Sequence, residues 1–212
     1  MNRKNIVYTI LLLAIFVTFS GCTSPGNVTI KTTPSSEETP IGEAVQDSKT
    51  IIVKQIYEEG GGLDSDGGCC ITGAGDNSKD QSTQSFLSYD VTEIPTNATI
   101  VEAKPDFSEY NRNADPFSTL GCLNVYQQDF GSVDPKDFFL GTPTNSLAKW
   151  CSEVDLKTSQ LKSDELAKAL QSKVGQKRFQ VRLQFDKSTD NNKQTDNILE
   201  TYSKITVTYV MK

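Results

Sequence analysis

An all-β chain, folded as an antiparallel sandwich over residues 49–212, is what this sequence predicts, and three observations predict it. Phe179, Val181, Leu183 and Phe185 alternate with Arg178, Gln180, Arg182 and Gln184, the pattern of a strand with one buried and one wet face. Short runs of β-branched and aromatic residues recur along the domain, separated by Gly, Asn, Asp and Pro. A single segment, 163–174, carries helical spacing. Many short strands, long polar loops and one short helix select a sandwich over an α/β fold.

In chain order, the first element is an address. Asn2-Arg3-Lys4 is a positive patch, residues 6–19 are apolar but for Tyr8, Thr9 and Thr18, and the run stops at Ser20-Gly21-Cys22. That order predicts a lipoprotein signal peptide over 1–21, ending in a lipobox-like sequence with Phe19 in the place usual for leucine. Small residues before a cysteine fit the peptidase pocket, and the Cys22 sulfur is the nucleophile that takes the diacylglyceryl chain. The alternative is an uncleaved anchor, for which the apolar run is short of the roughly 20 residues of a comfortable span. Either way the remaining chain lies outside the membrane. Residues 22–48, rich in Thr, Ser, Pro, Gly and Glu, read as a disordered, flexible tether.

The domain opens with a β-rich run at 51–57, terminated by Gly60-Gly61-Gly62 and Asp64-Ser65-Asp66-Gly67-Gly68. A strand at 86–91 puts Leu87, Tyr89 and Val91 on one face and Phe86 on the other. Ile94-Pro95-Thr96-Asn97 turns the chain into a strand at 98–104, with Val101 and Ala103 on one face, which Pro105 stops or forces to a sheet edge. A strand at 120–127 follows, then an irregular stretch at 128–150. Ser163 caps the helix, Asp164 and Glu165 sit at its positive end, and Leu166, Leu170 and Val174 form its apolar stripe. After the alternating strand and a polar stretch at 186–197, residues 205–210 form the last strand.

Charge and cysteine content narrow the function. The formal charge is −6, and −8 once residues 1–21 with Arg3 and Lys4 are removed, so a phosphate polymer is repelled and nucleic acid is excluded as a partner. The chain has no histidine, which excludes Ser-His-Asp and Cys-His nucleophiles and histidine-ligated zinc. Cys69, Cys70, Cys122 and Cys151 form an even set in an exported chain, and disulfides are expected. Adjacent cysteines close only a strained ring, so both remaining patterns tie the Cys69-Cys70 corner to Cys122 and Cys151. A four-thiolate metal site would need Cys-x-x-Cys knuckles, which are absent.

Phe86-Leu87-Ser88-Tyr89-Asp90-Val91, then Ile94-Pro95, then Ala98-Thr99-Ile100-Val101-Glu102-Ala103-Lys104, resembles the hallmark stretch of DNRLRE-type extracellular jelly-roll domains. Pro105 departs from the leucine of that family, and the cysteines have no counterpart in it. The resemblance, extending loosely over 50–211, implies a jelly-roll-like β-sandwich related in shape to carbohydrate-binding modules.

Asp64 and Asp66 beside Gly67, with Asp76 and Asp80 beyond, form an oxygen-rich set of the kind that binds structural calcium, although the bland alternative is a solvated acidic turn. The EF-hand pattern is absent, since its twelfth position from Asp64 is Gly75. Tyr126 and Trp150 are candidate platform aromatics for a sugar, against core packing as the alternative, with Trp150 covering a disulfide at Cys151. The expectation is a lipid-anchored prokaryotic cell-surface protein, non-catalytic and requiring no cofactor, with structural calcium as the one candidate ion. Its partners are the membrane, through its lipid, and an envelope glycan or a surface protein. The rival classes are a polysaccharide-acting hydrolase and a protein-binding assembly factor.

Overall fold

β-Branched and aromatic runs become strands, and the computed structural model of the chain, which describes residues 47–68, 73–158 and 162–212, shows how they assemble. The predicted signal peptide, the predicted tether up to residue 46 with Cys22, and the Cys69-Cys70 pair lie outside the described residues. The strands are β1 (Ser48–Lys54), β2 (Gly61–Asp64), β3 (Ala74–Asp76), β4 (Ser82–Asp90), β5 (Ala98–Asn113), β6 (Leu123–Gln127), β7 (Ala148–Trp150), β8 (Arg178–Phe185) and β9 (Asp196–Met211). They hydrogen-bond in the order β1-β9-β3-β4-β8-β6-β7, with β2 on β4 and β5 on β9, and these pairings are antiparallel. The result is an all-β sandwich. β5, β9 and β1 form one layer, β4, β8, β6 and β7 the other, and short β3 bonds to both β9 and β4.

One apolar cluster fills the space between the layers, drawing Leu87 and Tyr89 from β4, Val91 from just beyond its end, Val181 and Leu183 from β8, and Ile205 and Val207 from β9. Each fully buried side chain of this kind contributes about 1.5–3 kcal/mol. Phe86 points the other way, as alternation requires, into a second cluster with Leu63 and Phe130.

The predicted helix is α3 (Asp164–Gln171), reached after two short helical turns, α1 (Pro116–Thr119) and α2 (Glu153–Thr158). Ser163 Oγ accepts the Leu166 N–H at 3.1 Å, while Leu166 and Leu170 close one end of the core. Gly175, at φ +83°, ends the segment in a conformation that side chains resist.

Of the two outcomes expected at Pro105, the edge position holds: β5 runs on to Asn113, and because β5 pairs only with β9 among the described strands, it is an edge, where a missing N–H is tolerated. Three other expectations are corrected. Val101 is 46% exposed while Ala103 is buried, because a register shift between Ile100 and Glu102 reverses the alternation. The wet face of β8 is covered: Gln180, Arg182 and Gln184 are all buried. Residues 128–141 lie over that face, held by amides that grip their backbone. Gln84 donates to Phe139 O at 2.8 Å and accepts its N–H at 3.0 Å, while Gln180 accepts from Phe130 N–H and Gly131 N–H. Such bonds contribute about 1 kcal/mol each and fix the register of an otherwise irregular segment. Arg182 is held between the rings of Tyr126 and Phe139, at 5.1 and 4.1 Å, and burial pushes its guanidinium down to about 10.

A disulfide is present as expected, but with a different pairing. Cys122 and Cys151 bond to each other, because the Leu123↔Trp150 register of the β6–β7 hairpin places the next pair face to face, with Cα atoms 4.1 Å apart. Neither is therefore available to Cys69 or Cys70. A disulfide is consistent with an extracytoplasmic location.

Candidate functional site

Two polar sites lie along β9. The first is an acidic corner at its start, and its geometry depends on glycine. A Cβ at Gly73 would stand 1.6 Å from Ile198 O, and one at Gly75, where φ is +145°, 2.0 Å from Asp196 O. Only glycine lets β3 press this closely on β9, and the contact sets Asp76 opposite Asp196. Asp76 is fully buried; its Oδ1 accepts the Asp196 N–H at 3.2 Å and its Oδ2 the Asp190 N–H at 3.3 Å. Desolvation raises its carboxyl above the usual range, against the opposing pull of the hydrogen bonds from Thr189, Asp190 and Asp196. Asp80, at φ +59°, accepts the Lys193 N–H at 2.8 Å.

Asp76, Asp80 and Asp190 each bring a carboxylate oxygen within 4.8 Å of the others. Calcium takes six to eight oxygens in flexible geometry, and this trio provides three anionic ones. The predicted set is therefore redrawn. Asp64 folds onto its own turn, its Oδ1 accepting from Asp66 N–H at 3.0 Å and Gly68 N–H at 2.8 Å, and Asp66 is bonded by the Gln81 side-chain amide. Neither belongs to the carboxylate trio. Asp190, which does, lies in the stretch read only as a polar turn. The available signal was Asp190, Asn192, Gln194 and Asp196, an oxygen side chain at every second position.

The second site is a cavity of about 580 Å³. Gln55 and Tyr57 follow β1 into its wall, the glycines at 60–62 form a side without bulk, and Ser85, Asn111 and Glu200 come from β4, β5 and β9. Both Glu200 carboxylate oxygens are withdrawn from solvent and have no hydrogen-bond partner of good geometry among the described residues. Burial pushes this carboxyl up to about 7, with the neighbouring Ser203 hydroxyl opposing the rise. That hydroxyl is bonded to Gln55 Oε1 at 2.8 Å. The Tyr57 hydroxyl titrates above its ordinary value through desolvation, then through the charges of Glu200, Tyr202 and Glu109.

The platform aromatics are elsewhere. Trp150 is 1% exposed and packs edge-on against Phe107 at 5.3 Å, and Tyr126, 8% exposed, is stacked on Arg182. Neither offers a face to a ligand, because each is worth more as buried area than as surface. Glu200 and Tyr57 had no place among the expected site residues. Glu200 follows Ile198 by two positions on β9, upstream of the strand expected at 205–210.

No family model, curated protein or solved structure matches the chain. Among the described residues, no helix is long and apolar enough to cross a membrane.

Proposed function

We propose that the chain is a lipid-anchored surface protein whose β-sandwich is a non-catalytic binding module for an envelope ligand, with calcium bracing the acidic corner. The 580 Å³ cavity carries this reading: its size is that of a small-ligand site, and its walls offer phenol, amide and carboxylate groups rather than a uniform apolar lining. The positive, apolar and Ser20-Gly21-Cys22 segments support the lipid anchor, and the Cys122–Cys151 bridge supports export. The jelly-roll resemblance is supported by the connection from β4 to β5 through Ile94-Pro95, which crosses from one layer to the other.

A glycan array probed with and without calcium tests the module. Binding to one glycan class is expected, weakened by chelation; no bound glycan would remove the sugar, and binding indifferent to chelation would remove the metal. One observation favours a second reading. A buried carboxyl poised near 7 in a cavity is what a general acid needs, so a polysaccharide-acting hydrolase stands as the alternative. Release of reducing ends from a bound glycan, lost in Glu200→Gln, would select it.

A further inference from the structure

Glu200 lines the cavity, and its carboxylate oxygens, withdrawn from solvent behind that wall, have no hydrogen-bond partner among the described residues. An ionised carboxylate taken out of water is costly unless an opposite charge or donors answer it. Three cations on the surrounding elements are held elsewhere: Lys204 by Asp106 at 3.4 Å, Arg112 by Glu153 at 3.2 Å, and Arg178 by Glu59. Glu109 adds a second negative charge felt at Tyr57. Tyr57 itself is 52% exposed, with its ring centroid 6.4 Å from that of Tyr202, so an aromatic surface stands beside the negative field. Aromatic faces and carboxylates together are the chemistry that recognises ammonium groups.

We infer that this cavity binds a small organic cation, its charged nitrogen set against Glu200 and its alkyl groups against Tyr57, with Asn111 and Ser85 offering polar groups to the remainder of the ligand. The inference rests on the reading of the domain as a binding module and names the ligand's chemistry. Two sources carry that chemistry, a quaternary amine and an amino sugar of an envelope glycan.

The test uses the intact chain in detergent and calorimetric titration with two matched pairs: choline against its neutral isostere 3,3-dimethylbutan-1-ol, and glucosamine against N-acetylglucosamine. One cation is expected to bind at least ~30-fold more tightly than its neutral partner, as a desolvated charge pair requires. Which pair shows the preference identifies the source. Glu200→Gln keeps the shape and is expected to abolish the preference. With the unaltered chain at pH 6.5, cation binding is expected to release a fraction of a proton, read as heat that changes with the buffer. Equal binding of cation and isostere, a preference that survives Glu200→Gln, or the absence of proton release overturns the inference and leaves the module standing. Binding by neither cation also overturns it, and the glycan array then decides the module independently.

Discussion

Asp196 and Glu200 are four residues apart on one strand, yet their surroundings differ in kind. At the acidic corner the turn at 189–196 wraps its own N–H groups around short carboxylates, so Asp76 and Asp190 are answered by donors a few atoms away. Glu200 sits within the β5–β9 ladder opposite Tyr110, where backbone N–H groups are taken up by strand pairing. A turn can supply donors to an anion and a ladder cannot. The first site is therefore part of the structure, and the second is a demand the chain leaves open.

That contrast can be broken first at Asp76. Asp76→Ala strands the buried N–H of Asp196 and the half-buried N–H of Asp190, and urea unfolding is expected to show a loss of roughly 3 kcal/mol. A loss under about 1 kcal/mol would mean the corner is not held by this residue.

Glu200 should behave in the opposite sense. Burial raises its carboxyl from an ordinary 4.5 to about 7 in the folded chain, so the folded state binds the proton more tightly than the unfolded state does. Its contribution to stability is present below the unfolded value and is lost as pH rises through the folded one, a fall of about 3 kcal/mol. Glu200→Gln should remove this dependence and be the more stable protein at pH 8. Unfolding curves at pH 4.5 and 8 for both proteins check it, and parallel behaviour of the two would dismiss the buried charge.

Calcium sharpens the corner itself. At a hundredfold excess over Kd it is expected to add about 2.7 kcal/mol to stability, and Asp190→Asn to remove most of that gain. An unchanged melting temperature would make the trio structural only. The smallest effect belongs to the acid that left the predicted set: Asp64→Asn, in an exposed turn, should cost less than about 1 kcal/mol and leave any calcium response intact.

What the sequence could convey followed local rules. The faces of β4, the cap of α3 and the turn at Ile94-Pro95 all depend on neighbours within a few residues, and alternation and capping chemistry reach that far. The burial of Gln180 and Arg182 depends on residues 128–141 folding back over β8, which no spacing announces. A polar face covered by a loop has the same pattern as one left in water. Disulfides were legible in the cysteine count, but their pairing was not: the bond of Cys122 to Cys151 follows from hairpin register, and β7 is too short to show a period. At the acidic corner, Asp76 and Asp80 were within reach of a local reading, but Asp190 arrives across the β3–β9 contact from a part of the sequence over a hundred residues away.

The open demand at Glu200 is the claim on which the binding site stands, and carbon-13 NMR of its carboxyl reads it without a variant or a ligand. The resonance is expected to titrate with a midpoint near 7. A midpoint near an ordinary 4.5 would show a carboxylate already satisfied by water or by the chain, and would contradict the account.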